Sequence, residues 1–482
     1  MHSGAGLAIL LPMLAQTPVR ETDGPRPRAV LLGVQLPGAS DEVFESSLKE
    51  LERLADTLGL EVIGRVTQRR PVLVTASVVG SGKLRELGQW TGGSGVIEAY
   101  TAPGSRDSDA TDDEDDSDAA ETPADAQTRA TVVLVDHDLS PTQTRNLEKS
   151  TGAEVLDRSM LILSIFQRHA RTREARMQVE IARLTYLAPR LREASAGQDR
   201  QRGGIGGKGA GESALELDRR RIRDRIAELR RDLEIVQREA ETRRSRRTGT
   251  ETSTVALIGY TNAGKSSLMR ALTGDAVYVA DQLFATLDTT VRVLKPEVRP
   301  RILVSDTVGF IKKLPHDLVA SFRSTLSEAK DASLLLHLVD GSDPAFRSQF
   351  QVTREVLEEL GAGAHPTLVV INKADRMSAE QIAAFSGEFP EAVIMSVRVE
   401  ADVQRLYARI VDFFEQSMQE SEFTIPYSQQ RQVAVLHERT RVLDEQYDEA
   451  GTRVRVRAPA AILNTLKREL FGEPAALSGE DG

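Results

Sequence analysis

The chain of 482 residues contains no cysteine. Disulfide bonds, thiol nucleophiles and zinc–thiolate sites are therefore excluded, and the composition fits a reducing cytoplasm. Long apolar runs are also lacking. The run at 7–15 is interrupted by Pro12 and is far shorter than the roughly 20 residues that cross a bilayer. Only His2 stands where a secretory signal carries Lys or Arg, so we expect a cytoplasmic protein without a membrane span.

Hydrophobic residues make up 40% of the chain, as in globular proteins, and the length is sufficient for about three domains. The formal net charge is −10, but the charge is unevenly distributed. Residues 107–121 are almost all acidic or small, so this stretch has nothing to bury, and we expect a disordered insertion over about 101–128. Between 168 and 247, by contrast, arginine exceeds acid.

One segment matches the phosphate-binding P-loop pattern in full. It follows an apolar run typical of a buried strand, 254–258, and precedes a predicted helix. In that context glycines let backbone N–H groups turn towards an anion, and the helix N-terminus adds partial positive charge. Lys265 is predicted to reach the β- and γ-phosphates, and the Ser266 hydroxyl to ligate Mg²⁺. The predicted nucleotide contacts are Gly259, Tyr260, Thr261, Asn262, Ala263, Gly264, Lys265 and Ser266.

Two later loops, each after a strand-like run, predict which nucleotide binds. In the first, Asp306 is expected to hold the metal through water, and the Gly309 N–H to sense the γ-phosphate. In the second, a carboxylate accepts hydrogen bonds from N1–H and the exocyclic amine of guanine, whereas adenine would leave it unpaired. The order of these motifs predicts a GTPase. The two loops are Asp306-Thr307-Val308-Gly309 and Asn372-Lys373-Ala374-Asp375.

Two further segments complete the predicted site. Phe284-Ala285-Thr286-Leu287-Asp288 lies where the first switch segment must lie, between the P-loop and Asp306. Thr286 is our choice for the hydroxyl that joins the Mg²⁺ shell when the γ-phosphate is present, with Thr289 and Thr290 as alternatives. Ser396-Val397-Arg398 is predicted to pass under the guanine, although a small residue is more usual at its centre.

Phe310 stands where several GTPases have a glutamine that orients the attacking water. Because phenylalanine cannot orient water by hydrogen bonding, we expect slow hydrolysis without a partner, with Lys265, Thr286 and Gly309 as the catalytic residues. Asn262 has two interpretations, a ligand for potassium, as in a group of related GTPases, or a residue that tolerates a tight turn. We favour a solvated switch-loop residue over a general base for His316.

The pattern of apolar residues predicts an α/β protein. A P-loop GTPase domain with a doubly wound parallel sheet follows a small α/β unit with a long antiparallel helical hairpin, and a small α/β appendage comes after it. The predicted divisions are a disordered extension at 1–26, the α/β unit at 27–158, the hairpin at 159–250, the GTPase domain at 252–418, the appendage at 421–473 and a tail at 474–482.

The hairpin is predicted as one helix from Met160 to Ala188 that ends at Pro189, a glycine-rich loop at 203–211, and a second helix at 212–247. Its arginine-rich faces favour RNA contact, the alternative being solvated faces with ion pairs to glutamate.

The appendage is predicted to contain a helix at 429–443 and a strand at 452–457. Three arginines alternate on that strand and are predicted to point outward: Arg453, Arg455 and Arg457. They are a second candidate for RNA contact, the alternative being an ordinary exposed edge of a sheet. In the first unit, Gly80-Ser-Gly-Lys83 fails as a P-loop because Leu84 follows the lysine, and it is interpreted as a turn before a helix.

With these residues assembled, the chain resembles HflX, a family of bacterial ribosome-associated GTPases in the Obg-HflX-like group. The resemblance runs from about Ala29 to Phe471, without the acidic insertion. It departs from the family pattern at Thr289, where a proline is frequent, and at Val397. Beyond the nucleotide motifs it rests on Gly64-Arg-Val-Thr-Gln68, Gly80-Ser-Gly-Lys83, Leu139-Ser-Pro141, Asp157-Arg158, Ala170-Arg-Thr-Arg-Glu174, Gly203-Gly-Ile-Gly206 and Phe284-Ala-Thr-Leu-Asp288.

The resemblance implies a monomer that binds GTP or GDP and Mg²⁺ and associates in its GTP state with the large (50S) ribosomal subunit and its rRNA. It implies that the hairpin enters near the peptidyl-transferase region, that the protein splits stalled or hibernating ribosomes or acts in ribosome biogenesis, and that the ribosome stimulates hydrolysis. The expected location is the cytoplasm, on ribosomes, with a peripheral membrane association as a variant. The alternative, which Phe310 keeps open, is an RNA-binding assembly factor that uses GTP as a ligand with little turnover.

Overall fold

A computed structural model describes residues 25–97, 129–199, 214–248, 253–274, 283–284, 290–307, 309–312 and 329–471. Several predicted features lie outside these residues: nearly all of the N-terminal extension, the acidic insertion, the glycine-rich loop, the C-terminal tail, Ala285 to Thr289, Val308 and His316. The chain divides into two compact units, whose described residues lie at 25–233 and 234–471.

The first unit is built on a four-stranded parallel sheet in the order β2-β1-β3-β4. The two central strands, β1 and β3, are buried almost throughout. Strands buried on both faces are continuous apolar runs, which is why the sequence predicts both of them. The strands are β1 (Arg28–Gln35), β2 (Glu61–Arg69), β3 (Val132–Val135) and β4 (Glu154–Asp157).

Most helices of this unit begin where the sequence provides a cap. Ser140 and Gln143 form a reciprocal capping box at the start of α3, and Gly80 is the N-cap of α2, which confirms the turn before a helix at that position. The helices are α1 (Asp41–Leu58), α2 (Ser81–Thr91), α3 (Pro141–Thr151), α4 (Arg158–His169), α5 (Arg173–Asp199) and α6 (Ala214–Thr248), the last of which continues into the second unit.

The single helix predicted from Met160 to Ala188 is wrong. α4 ends at His169, and α5 begins after Thr172, whose hydroxyl accepts the Ala175 amide at 3.1 Å. The predicted stop at Pro189 is also wrong, since α5 continues through it. Proline removes one helical N–H, and the next residue, Arg190, anchors the helix by donating to the Leu139 carbonyl at 2.9 Å.

α5 and α6 run antiparallel, as the sequence predicts. Arg173, early in α5, lies 3.8 Å from Asp232, late in the part of α6 that belongs to the first unit. Glu180, further along α5, accepts a hydrogen bond at 2.9 Å from Arg225, which is earlier in α6.

A buried ionic network joins three elements of the first unit. Arg158, at the start of α4, is only 1% exposed. Its guanidinium lies 2.7 Å from Asp136, which follows β3, and 2.8 Å from Glu50 of α1. Asp136 also accepts the Ser47 hydroxyl at 2.7 Å. Buried charges are retained only when they are paired in this way.

The second unit contains a six-stranded sheet in the order β10-β9-β8-β5-β7-β6. Five strands are parallel, and the edge strand β6 runs antiparallel to β7. The strands are β5 (Ser253–Gly259), β6 (Thr290–Val293), β7 (Ile302–Asp306), β8 (Leu334–Asp340), β9 (Thr367–Asn372) and β10 (Val393–Ile394). The associated helices are α7 (Lys265–Thr273), α8 (Phe346–Glu359), α9 (Ala379–Glu388) and α10 (Glu400–Gln416).

The end of the chain forms a three-stranded antiparallel sheet with two helices. The elements are β11 (Met418–Ile425), α11 (Arg431–Arg439), β12 (Arg441–Asp448), β13 (Gly451–Pro459) and α12 (Ala460–Phe471). The helix predicted over 429–443 is too long. It ends at Arg439 because Thr440 is extended (φ −133°, ψ 163°) and the chain then pairs with β13.

β13 is the central strand of this sheet and not an edge. Arg453 lies 3.3 Å from Glu422 and 3.0 Å from Asp448, and Arg457 lies 2.6 Å from Glu420. These pairs favour a structural role for the two arginines. Among the described residues, no helix combines the length and the apolar character needed to cross a membrane.

The buried network predicts a large stability effect at Asp136. Asp136→Ala removes one of the two carboxylates that pair with the buried Arg158 guanidinium. We therefore expect the free energy of unfolding of the first unit to fall by about 3–5 kcal/mol. The change is measurable by denaturant unfolding followed through Trp90, the one tryptophan of the chain.

Asp56→Ala is the matched control, because Asp56 forms an exposed pair with Arg26 at 2.9 Å. Such pairs contribute about 0–1 kcal/mol. Equal losses in the two variants would contradict a stabilising role for the network.

Candidate nucleotide-binding site

The P-loop lies between β5 and α7, where two glycines are required by the space around them. Gly259 has φ +145°, and a β-carbon there would collide with the Leu338 carbonyl oxygen. Gly264 has φ +98°, and a β-carbon there would collide with the Asn372 side chain. Asn262 also adopts a left-handed conformation, with φ 59°. The loop is thus a tight turn that brings backbone N–H groups to the N-terminus of α7.

Lys265 is enclosed by the loop that precedes it. Its side-chain nitrogen donates to the carbonyl oxygens of Gly259 at 3.1 Å and Tyr260 at 2.8 Å, and the residue is 6% exposed. Burial lowers the pKa of the ammonium to about 8, and the charge of Asp306 opposes that shift. A bound anion would offset the cost of this buried charge.

The two predicted metal-side residues lie together. The Ser266 hydroxyl donates to the Asp306 carboxylate at 2.8 Å, and Asp306 is fully buried at the end of β7. The next residue, Thr307, is fixed by its hydroxyl, which donates to the Leu257 carbonyl at 2.7 Å. A hydroxyl and a carboxylate oxygen are ligands that Mg²⁺ accepts.

In the described part of the chain, no three histidine or acidic side chains form a group that could hold a metal. Mg²⁺ usually binds one or two protein oxygens together with substrate phosphates and water. Thr286, the third predicted ligand, lies outside the described residues, so its role stays a prediction.

The predicted guanine loops are adjacent to each other and to the P-loop. The Asn372 amide donates to the Ala263 carbonyl at 2.9 Å, and its oxygen accepts the Val397 amide at 3.2 Å. Asp375 accepts the Ser396 hydroxyl at 2.6 Å. That hydrogen bond lowers the pKa of the Asp375 carboxyl, which keeps the group ionised at neutral pH.

The remaining residues of these loops have supporting roles. Lys373 (φ 64°) forms an ion pair at 2.7 Å with Asp340, the last residue of β8. Arg398 lies 3.6 Å from the Asp375 carboxylate, and the Ser396 amide donates to Asp402 at 2.8 Å. Sequence reasoning missed Asp340 and Asp402. Asp340 could have been identified from the sequence, because it is an acidic residue directly after the apolar run 334–339.

Phe310 does not face solvent, although it follows a switch motif. It is 2% exposed, its carbonyl accepts the Thr261 amide at 2.8 Å, and its amide donates to the Gly259 carbonyl at 3.2 Å. The Lys312 amide donates to the Tyr260 hydroxyl at 2.7 Å. The sequence motifs do not predict that Phe310 and Lys312 bond to the P-loop, because these hydrogen bonds depend on the backbone path of residues 309–312.

The pKa of Lys265 predicts how nucleotide affinity depends on pH. A bound phosphate favours the ammonium and raises its pKa above the free value of about 8. Affinity is therefore highest below pH 8 and falls as the free lysine loses its proton. Between pH 7 and pH 8.5 we expect the dissociation constant of GDP, measured by calorimetry, to rise about fourfold.

Lys265→Arg is the control for this effect, because a guanidinium keeps its proton throughout the range. Its dissociation constant, although higher, should be independent of pH. A wild-type constant that is also flat between pH 7 and pH 8.5 would contradict the assignment.

Three family models match the chain. They are described as GTP-binding GTPase N-terminal (residues 45–97 and 118–167), GTP-binding GTPase Middle Region (169–247) and 50S ribosome-binding GTPase (254–373). Among solved structures, a GTP-binding protein from Sulfolobus solfataricus in complex with GDP is 22% identical with a TM-score of 0.40, covering 80% of this chain and 99% of that chain.

Similar curated proteins extend over nearly the whole chain. GTPase HflX of Gluconacetobacter diazotrophicus is 54% identical over 453 residues, which are 93% of this chain and 99% of that protein. GTPase HflX of Escherichia coli is 36% identical over 433 residues, which are 89% of this chain and 93% of that protein. With this identity over almost the full length of its relatives, the chain belongs to the HflX family of GTPases.

Proposed function

We propose that this chain is a GTP-dependent switch that hydrolyses GTP with Mg²⁺ and binds the large ribosomal subunit in its GTP state. The observation that carries the proposal is the convergence of the P-loop, the Asp306 loop and the Asn372–Asp375 loop at one edge of the second unit's sheet. Asn372 links the proposed phosphate and guanine sites, because its side chain bonds to Ala263 of the P-loop and to Val397 of the loop 396–398.

Each residue has a defined task in hydrolysis. Ser266 and Asp306 would hold Mg²⁺, which supplies positive charge to the β- and γ-phosphate oxygens. The Lys265 ammonium, which donates to the Gly259 and Tyr260 carbonyl oxygens of the P-loop, would neutralise charge that develops on the leaving phosphates. The Asp375 carboxylate accepts from guanine, and the Gly309 amide is the contact for the γ-phosphate. Thr286 is proposed as the hydroxyl that completes the metal shell.

Hydrolysis without a partner should be slow. The side chain at the water-orienting position is that of Phe310, which is buried and carries no hydrogen-bond donor. Asn262 has the left-handed conformation that the tight-turn interpretation requires. Potassium coordination by Asn262 stays a proposal, and the ion would supply positive charge near the bridging oxygens of the phosphates.

The arginines of α6 support RNA as the partner surface. Some of them are paired, as in Arg221 with Asp218 at 3.2 Å and Arg225 with Glu228 at 3.0 Å. Others, Arg223, Arg230 and Arg231, are exposed and have no ion-pair partner within the described residues. Such cations are available to phosphate oxygens. Separately, the family model that matches residues 254–373 is described as a 50S ribosome-binding GTPase, which supports the same partner.

The cellular task that we propose is splitting or rescue of stalled or hibernating ribosomes, or ribosome biogenesis, by a cytoplasmic, ribosome-associated monomer. A peripheral association with the membrane is the alternative location. We also propose that the domains meet near residues 158, 250 and 418. The second candidate is an assembly factor with little turnover, which the buried Phe310 favours.

Sedimentation with large ribosomal subunits tests the switch. We expect binding with a non-hydrolysable GTP analogue and little binding with GDP. Equal binding in the two states, or none in either, would contradict the proposal. The GTPase rate with and without subunits separates the two candidates, since stimulation favours the switch and its absence favours the assembly factor.

Lys265→Ala is expected to abolish nucleotide-dependent binding to subunits and to lower GTP affinity by at least about 100-fold, because it removes a buried, charge-assisted contact. Cosedimentation and nucleotide titration are the measurements. Lys467→Ala, which changes an exposed lysine of α12, is the control and should behave as wild type. A Lys265→Ala protein that still binds subunits only with the GTP analogue would contradict the phosphate-site assignment.

A further inference from the structure

The Ser396 hydroxyl, which bonds to the predicted guanine-binding carboxylate, points in a fixed direction. It donates to Asp375 at 2.6 Å and accepts the Arg398 amide at 3.3 Å. Ser396 is 2% exposed, so water has little access to these bonds. The position of the Asp375 carboxylate therefore follows that of Ser396, and a group that holds Ser396 also holds Asp375.

Asp402 holds the backbone of Ser396 from the adjacent helix, α10. One oxygen of its carboxylate accepts the Ser396 amide at 2.8 Å, and the other lies 2.9 Å from the Arg405 guanidinium. Arg405 donates in turn to the Ile394 carbonyl at 2.8 Å. The two side chains thus hold the chain at two points of its backbone, one on Ser396 itself and one at the end of β10.

This carboxylate does not cap its own helix. Asp402 is the third residue of α10, where an acidic side chain commonly bonds back to the N-cap amide. The N-cap here is Val399, whose amide donates instead to the Ser396 carbonyl at 3.0 Å. Asp402 reaches past it to Ser396. Because Val403 and Leu406 are packed in the core of the second unit, the carboxylate projects from a fixed helix.

Guanine recognition needs a fixed carboxylate, because Asp375 is predicted to accept two hydrogen bonds at once. The N1–H and the exocyclic amine lie side by side on the base, and a carboxylate pairs with both only when its plane matches theirs. A carboxylate that can rotate keeps one bond and loses the other. Hypoxanthine has the N1–H but no exocyclic amine, so an inosine nucleotide makes only the first bond.

We propose that Asp402 is a positioning residue for guanine recognition, which holds Ser396 so that the Ser396 hydroxyl fixes the plane of the Asp375 carboxylate. This inference rests on the proposed GTP site. Asp402 does not act on the base directly, since it bonds to the Ser396 amide. Its removal should therefore weaken the binding of GDP more than that of inosine diphosphate, whereas a general loss of folded protein would weaken both equally.

Asp402→Ala tests the proposal through the dissociation constant of inosine diphosphate divided by that of GDP, both measured by calorimetry. In wild type the exocyclic amine should make this ratio about 10 to 100. Asp402→Ala should lower the ratio about 2- to 12-fold, as for the loss of one hydrogen bond. Asp402→Asn keeps an oxygen for the Ser396 amide and should retain the wild-type ratio.

Glu400→Ala is the matched control, because Glu400 is an exposed acid in the same first turn of α10. Both acids interact favourably with the N-terminus of the helix, and of the two Asp402 is the one that bonds to Ser396. The control should therefore keep the wild-type ratio. An equal fall in Glu400→Ala would show an effect of helix stability and would overturn the positioning role.

A double variant tests whether Asp402 acts through Ser396. Ser396→Ala removes the hydroxyl that bonds to Asp375, so adding Asp402→Ala should lower the ratio no further. A further fall in the double variant, or a wild-type ratio in Asp402→Ala, would overturn the proposal. A wild type that binds GDP and inosine diphosphate equally would instead overturn the proposed guanine site.

Discussion

The arrangement of the site depends on one buried cation, the Lys265 ammonium. Its partners within the described residues are carbonyl oxygens of its own loop, so its charge is only partly compensated until an anion binds. The same side chain limits the space at Gly309, where a β-carbon would lie 2.9 Å from the lysine nitrogen. At Gly259 and Gly264 the space is limited instead by the Leu338 carbonyl oxygen and the Asn372 side chain. The enclosed lysine therefore accounts for the glycine of the Asp306 loop, whereas β8 and Asn372 account for the two glycines of the P-loop.

A second constraint joins recognition of the base to recognition of the phosphates. Asn372 donates to a P-loop carbonyl and accepts from the loop that holds Ser396. Asp375, three residues later, is positioned by the Ser396 hydroxyl. A buried amide whose donor and acceptor are both hydrogen-bonded has one orientation, so the Asp375 carboxylate keeps a fixed position relative to the P-loop. On the proposed function, recognition of the base and of the phosphates is thus coupled by one connected set of hydrogen bonds.

The sequence predicts which loops lie together, because each combines a rare backbone conformation with few residue types after a buried strand. Sequence-based prediction fails where an uninterrupted apolar pattern is divided by contacts of individual side chains or strands. The helical period runs across residues 160–188, but the Thr172 hydroxyl starts a new helix, and Arg190 holds the chain in place after Pro189. Likewise the apolar spacing continues past Arg439, while pairing with β13 converts residues 441–448 to a strand. Those contacts are distant in sequence and have no periodic signature.

Phe310 connects the expected slow hydrolysis to the packing of the segment that follows the Asp306 loop. A glutamine at this position would have to turn its side chain towards the attacking water, whereas a phenylalanine gains free energy by staying buried. Burial of the ring and pairing of its backbone with the P-loop stabilise the same position of residues 309–312. Phe310 therefore lacks the hydrogen bond that a glutamine would offer the attacking water, and it also holds residues 309–312 against the P-loop. On the proposed function, a partner that orients the attacking water would supply the hydrogen bond that Phe310 cannot make, so the rate of hydrolysis would depend on that partner.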